Sequence, residues 1–453
     1  MNWINDKSIE AQFGDVRLTK RLNTIVEKLT KNPETTLPEA MGKWSETKAA
    51  YRFFDNENVE VSAIYEAQRA ESISRIKAET MILAVEDTTI FNYTLQRGKK
   101  GLGPIGSSEL SGFFLHSSLA VSTAGVPLGN MGCRMWVRPP ESKDSRKTHK
   151  KRPLENKESF RWIDIAREVA DAVPAPTKVV TVGDRESDIY DLLILALDGY
   201  DFLIRAAWNR RLNQSKDYLW QAAENAPILG STSVVVPRKD EKAERTATVT
   251  LQSVTVTINP PQHRMSEKLP TPTVNALLIK EISCPEDCTP LEWLLLTTLP
   301  VCTFEDALQC MIWYSYRWRI ERFHYILKSG CKVEQLQLET KDRLMRALAV
   351  FSIVAFRLLW LTYQARLTPD LPCTAVFIDC EWRTLFTAVN KSCDFPDVPP
   401  SLATAVLWVA FLGRFLGRFL GRKHDGSPGV HVLWRGIRRL FDLASFAALS
   451  TYG

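Results

Sequence analysis

With 453 residues, 45% of them hydrophobic and 24% charged, the chain has the make-up of a soluble globular protein and the length for two to four domains. The formal net charge of +6 permits nucleic-acid binding without requiring it. The start, Met1 to Lys7, lacks the layout of a signal peptide, and the most apolar run, Ala347 to Phe356, is flanked by arginines and too short to span a bilayer, so no membrane partner is expected. Nine scattered cysteines fit the reduced thiols of a cytosolic protein, and the Cys284/Cys288 pair has no second pair at zinc spacing.

Residues 1 to about 70 read as helical. Leu18, Leu22, Ile25, Val26 and Leu29 form one apolar stripe, Pro33 and Pro38 interrupt it, and a second helical stretch carries Trp44, Tyr51, Phe53 and Phe54. Basic residues on the free face suit a DNA backbone, or simply solvent. Met81 to Thr89 is a strand with Leu83, Val85 and Asp87 on one face. The basic glycine-rich segment from Arg97 to Gly106 reads as a mobile loop. Two further strands follow, Phe113 to Ser122 and Leu128 to Val137, and then a polar loop with Arg146, Lys147, Lys150, Lys151 and Arg152.

A helix from about Ser159 to Val173 leads into strand Lys178 to Asp184, a helix opened by Arg185 to Tyr190, and strand Asp201 to Arg205. Three antiparallel strands, helix, strand, helix, strand is the ribonuclease H order, in which acids ending the first and fourth strands are neighbours in space. Residues 230 to 300, with a charged loop at 238–245, alternate with period two and form a β-rich insertion.

Trp313 to Lys328 is expected as one continuous helix. At about 100° per residue, Tyr314, Arg317, Glu321 and Lys328 share an arc of roughly 60°. Ile312, Tyr316, Ile320, Phe323 and Leu327 form the stripe that docks on a core. One carboxylate amid cations and a phenol can hold a metal and phosphate oxygens together, as well as make ordinary ion pairs. The remainder is helical (about 340–366, a Pro-punctuated 369–400, and 401–422). It carries three tandem Phe-Leu-Gly-Arg copies at 411–422, read as slippage more readily than as a functional grip, and a basic amphipathic helix at 434–440 suited to a partner or DNA.

Asp87, Asp184 and Glu321 together could hold two divalent ions about 4 Å apart for an in-line phosphoryl displacement. The chain here resembles the DDE transposases of the insertion-sequence-four family, close to the transposon-five type. The residues that carry the likeness are Asp87 with Thr88 and Thr89, Gly183 to Ile189, and the series Tyr314, Arg317, Glu321, Lys328. Gly14–Leu22, Ala50–Phe53, Trp136–Pro139, Asn156–Ser159 and Leu291–Thr297 match in the family's order, as do Gly421–Gly426 and Trp434–Gly436.

That resemblance implies an α/β fold: a ribonuclease H-like catalytic core (71–368, with a β-rich insertion at about 208–300) flanked by helical N-terminal (1–70) and C-terminal (369–453) domains, the last for dimerisation and DNA contact. It implies Asp87, Asp184 and Glu321 as catalytic, metal-binding residues for two Mg²⁺ ions (Mn²⁺ substituting). Tyr314, Arg317 and Lys328 would grip the DNA backbone, and Trp293 would stack on a flipped base. The residues themselves add Arg205 and His324 as candidate DNA contacts. The reaction implied is cut-and-paste transposition: nicking, hairpin formation and resolution, then strand transfer by 3′-hydroxyl attack. The partners implied are double-stranded DNA (terminal inverted repeats and target) and a second copy in a synaptic homodimer, in a bacterial, cytoplasmic and nucleoid-associated setting. A relict that binds ends without cutting is the alternative; a glycosidase fits poorly, because its site needs no cationic helix face.

Overall fold

The computed structural model describes residues 9–107, 109–139, 153–213, 215–236, 244–286, 288–414 and 428–450. The basic loop at 146–152, residues 238–243 of the charged loop, the second and third Phe-Leu-Gly-Arg copies and the Gly421–Gly426 match lie outside them.

Four helices open the chain: α1 (Val16–Lys31), α2 (Leu37–Met41), α3 (Trp44–Asp55) and α4 (Val61–Ile76). Asp15 caps α1 by accepting the Arg17 N–H, and Thr36 with Glu39 forms a capping box on α2, where Pro38 is tolerated in the first turn. The predicted stripe is used: Leu22, Ile25, Val26 and Leu29 are buried. Helix α4 runs beyond residue 70, and Gln68 donates to the Ala349 carbonyl (3.2 Å), tying the N-terminal helices to the body.

The ten strands form one sheet: β1 (Met81–Asn92), β2 (Gly103–Pro104), β3 (Ser111–Ser122), β4 (Pro127–Trp136), β5 (Lys178–Gly183), β6 (Asp201–Arg205), β7 (Ile228–Val236), β8 (Arg245–Thr257), β9 (Thr273–Ile282) and β10 (Glu292–Thr297). Its first part runs β4-β3-β1-β5-β6, antiparallel at β4-β3-β1 and parallel at β1-β5-β6, which is the ribonuclease H-like order. The insertion continues the same sheet, because β10 pairs antiparallel with β6 and is followed by β9, β8 and β7. The segment 97–106 was expected to be mobile, yet it is docked. Lys99 Nζ donates to the Leu336 and Leu338 carbonyls at 2.8 and 2.6 Å, and β2 pairs with β3.

Helix α5 (Phe160–Ala172) covers one face of the sheet, where Ile165 and Val169 pack with Ile82 and Ala84. After α6 (Tyr190–Ile194) and α7 (Leu219–Glu224), the other face receives α8 (Phe304–Ser315), α9 (Trp318–Tyr325) and α10 (Lys341–Leu367). There Ile320 and Phe323 pack with Leu83, Val85 and Val182. Helix α10 is long and apolar enough to cross a membrane, but 78% of its most apolar window is buried inside the fold, which makes it the core helix.

The continuous helix expected over 313–328 is in fact broken twice. Arg317 N bonds Tyr314 O (3.0 Å) and Ile320 N bonds Arg317 O (3.2 Å), so the chain tightens between α8 and α9. It then widens into a π turn at Ile326–Gly330. Tertiary packing imposes both breaks. Tyr316 lies against Gly125, and the missing side chain of Gly330 leaves room for the Trp434 ring.

The C-terminal helices are α11 (Asp379–Asn390), α12 (Leu402–Leu412) and α13 (Val430–Ser450). Within α13, Trp434, Ile437 and Leu440 are buried, so the face that the sequence suggested for a partner is spent on the fold, while Arg435 and Arg438 remain exposed. A Cβ on Gly413 would lie 1.9 Å from the Val432 carbonyl oxygen. The glycine of the first Phe-Leu-Gly-Arg copy is therefore a packing requirement between α12 and α13.

Candidate active site

Val85 pairs with Val182 across the parallel β1–β5 ladder. Asp87 and Asp184 each lie two residues further along, on the face that packs against α9, and so stand side by side at about 5 Å strand spacing. Asp184 also opens the turn Arg185–Ser187, its Oδ1 accepting the Glu186 N–H at 2.8 Å. A Cβ on Gly183 would lie 2.5 Å from Ser187 Oγ and 3.0 Å from the Trp162 ring, so only glycine lets β5 end in this turn.

Helix α9 supplies the third acid. Glu321 is partly exposed and paired with Arg317 at 2.6 Å. The Arg317 guanidinium is largely buried, its Nε lacks a hydrogen-bond partner, and its charge acts on Asp87 and Asp184 as well as on Glu321. Burial, and next the Asp87 charge, push the Asp184 carboxyl up from its ordinary value; the Glu186 N–H, Arg317 and Arg161 oppose this. Two facing carboxylates that repel each other form an all-oxygen donor set of the kind Mg²⁺ accepts. Among the described residues no three acids, histidines or cysteines stand at metal-binding separation, and the Glu321 carboxylate is engaged by Arg317 instead.

The remaining predicted residues surround this centre. Tyr314 is buried beneath Trp293, ring centroids 5.2 Å apart and edge to face. Burial raises its hydroxyl, and the neighbouring Arg317 and Arg205 charges pull it back. Arg205 donates to the Glu292 carbonyl at 2.9 Å, and burial lowers its guanidinium from the ordinary value. Lys328 lies in the π turn with Nζ 5.6 Å from the Phe91 ring; burial lowers its ammonium, with Glu334 and Asp87 opposing. His324, expected as a DNA contact, is only 5% exposed and turned inward, Nδ1 3.6 Å from Asp87 Oδ2 and Nε2 3.4 Å from Ser117 Oγ. It faces the acid, not the solvent.

Sequence reasoning missed the support behind the acids. Arg161 donates from Nε to Thr88 Oγ1 (3.0 Å) and from Nη2 to Glu186 (2.7 Å), which bridges the two acid-bearing strand ends. Glu86 points to the opposite face from Asp87, as alternation requires, and is fully buried 3.4 Å from His116. Burial drives the Glu86 carboxyl well up and the His116 imidazole well down, so the two meet as neutral groups. Arg161 lies two residues after the Asn156–Ser159 match, the one signal that pointed toward it.

Three family descriptions match the chain: Transposase DNA-binding over residues 1–59, Transposase DDE domain over 155–356, and Transposase Tn5 dimerisation domain over 353–452. The chain belongs to the Tn5-type DDE transposases. In this transposase the DDE match spans Asp184 and Glu321, Asp87 precedes it, and the DNA-binding match covers α1 to α3. DNA and a second copy of the chain are its partners. DDE transposase domains generally use divalent metals.

Proposed function

We propose that this transposase carries out cut-and-paste transposition: hydrolytic nicking at the transposon end, attack by the freed 3′-hydroxyl to form a hairpin, hairpin resolution, and strand transfer into target DNA. The observation that carries this reading is the pairing of Asp87 and Asp184 on adjacent parallel strands opposite the Arg317–Glu321 pair of α9. Asp87, Asp184 and Glu321 would hold two Mg²⁺ ions, which supply an activated attacking oxygen and a stabilised leaving oxygen.

The chain's own residues do the positioning. Glu321 turns from Arg317 toward the two aspartates, and its partial exposure leaves that rotation unobstructed. Arg317, released, joins Lys328 and Arg205 on phosphate oxygens, and Tyr314 supports Trp293, whose indole offers a face to an unstacked base. His324 orients Asp87. The reaction is placed in the cytoplasm at the nucleoid, with the two subunits synapsing a pair of ends.

A plasmid excision assay with Mg²⁺ tests the reading. Wild type should excise the element flanked by its inverted repeats, and Asp184→Ala should bind those ends without cutting. Binding without excision by wild type would instead support the end-binding relict.

A further inference from the structure

On the α5 side of the sheet, at the C-terminal ends of β5 and β6, lies a cavity of about 970 Å³. Its walls are fixed by buried charge. The Asp188 carboxylate accepts the Ala207 and Trp208 N–H groups at 2.7 and 3.0 Å and pairs with Arg210 at 2.5 Å. Asp191 pairs with Arg264 at 2.6 Å. These pairs neutralise one another and hold the loop after β6 in place. Of the lining cations, Lys157 and Arg211 have no carboxylate partner among the described residues, so the cavity presents net positive charge.

Trp208, 64% exposed, stands on this rigid loop at the rim. The Arg211 guanidinium donates to Tyr218 Oη at 3.1 Å and lies 5.8 Å from that ring. A large exposed indole on a fixed loop, flanked by uncompensated cations, is the equipment for a base and its phosphates. The floor of the cavity continues into the turn that starts at Asp184, so a strand held at the acids has one turn of protein to cross. A duplex is too wide to enter and keeps its base faces stacked, whereas an unpaired nucleotide offers both a face and a phosphate.

We propose that this cavity takes an unpaired nucleotide of the DNA strand adjoining the scissile phosphate, its base on Trp208 and its phosphates at Arg211 and Lys157. The proposal rests on the transposition reading and adds a site to it. Stacking here captures the bases that hairpin formation leaves unpaired.

The test titrates full-length wild type, Trp208→Ala and Arg211→Ala with three probes: a blunt transposon-end duplex, the same duplex with a short single-stranded extension carrying 2-aminopurine, and free dAMP. Trp208→Ala should lose affinity for the extended duplex about fivefold or more while binding the blunt duplex like wild type, since base stacking contributes on that scale. Arg211→Ala should weaken the same complex and flatten its salt dependence. Aminopurine emission should be quenched by wild type and not by Trp208→Ala. Equal affinity of wild type and Trp208→Ala for the extension, or an equal loss on both duplexes, overturns the site. Free dAMP binding as tightly as the extension overturns its assignment to a strand. Failure of wild type to bind either duplex overturns the transposition reading along with it.

Discussion

Arg317 and Glu321, four residues apart across the break between α8 and α9, form a 2.6 Å ion pair inside the catalytic centre. The guanidinium thereby screens the acids that a metal would otherwise neutralise. Removing it should raise the affinity of the DNA-free protein for Mn²⁺ by about tenfold or more, because a cation within a few ångströms of the site no longer opposes the metal. The same Arg317→Ala protein should bind transposon ends more weakly. Calorimetric titration of Mn²⁺ without DNA checks the first effect and gel shift the second; unchanged metal affinity would mean that Arg317 serves the DNA alone. Glu321→Gln should keep end binding and lose cleavage by at least about a thousandfold, comparable to removing a major transition-state contact.

Gly183→Ala tests the turn that carries Asp184. The new methyl group would collide with Ser187 and Trp162, forcing the end of β5 to shift. Excision should fall by about a hundredfold or more, since displacing a reacting group by about 1 Å costs on that order. Far-UV circular dichroism should remain near wild type, and retained activity would show that the turn tolerates movement.

His116 gives a pH signature. Burial, followed by the charges of Arg161, His324 and Arg134, holds its imidazole well below the ordinary value, and Glu86 faces it as a neutral acid. The unfolded chain therefore binds a proton near pH 6.5 that the native protein refuses. The associated stability is present above pH 6.5 and lost as pH falls toward the depressed native value. Between pH 6.5 and 5.5 this residue alone should cost about 1.4 kcal/mol. Urea melts of wild type and His116→Asn at the two pH values should differ in slope by that amount.

Trp434 closes over Gly330 and is fully buried. Trp434→Ala should destabilise the protein by about 3–5 kcal/mol through lost packing and a cavity beside the π turn. Gly330→Ala should also destabilise it, since its Cβ would lie 1.8 Å from the Trp434 ring. Thermal melts of both variants check this, and an unchanged midpoint in either would contradict the contact.

The sequence showed some of these features and hid others for identifiable reasons. Period-two alternation put Asp87 and Asp184 on one face correctly, because strand geometry is local and the order of elements determined which strands met. The arc of Tyr314, Arg317, Glu321 and Lys328 was seen as a single helix face. The breaks at Tyr316–Arg317 and Ile326–Gly330 depend on Gly125 and Trp434, each distant in the chain, so no local pattern announces them. His324 looked like an edge residue, and only the docking of α9 on β1 and β3 turns it toward Asp87. Arg161 and His116 carry no motif, since their roles arise from packing between α5 and the back of the sheet.

The distance between Asp87 and Asp184 is governed by the hydrogen-bonded ladder of two touching strands, and the 96 intervening residues have no say in it. That segment is therefore free to lengthen or shorten at its surface connections without altering the chemistry. Glu321 has no such insurance: its place depends on how one short helix sits. Drift in copies of this element should accordingly disable the helix's docking sooner than the strand pair.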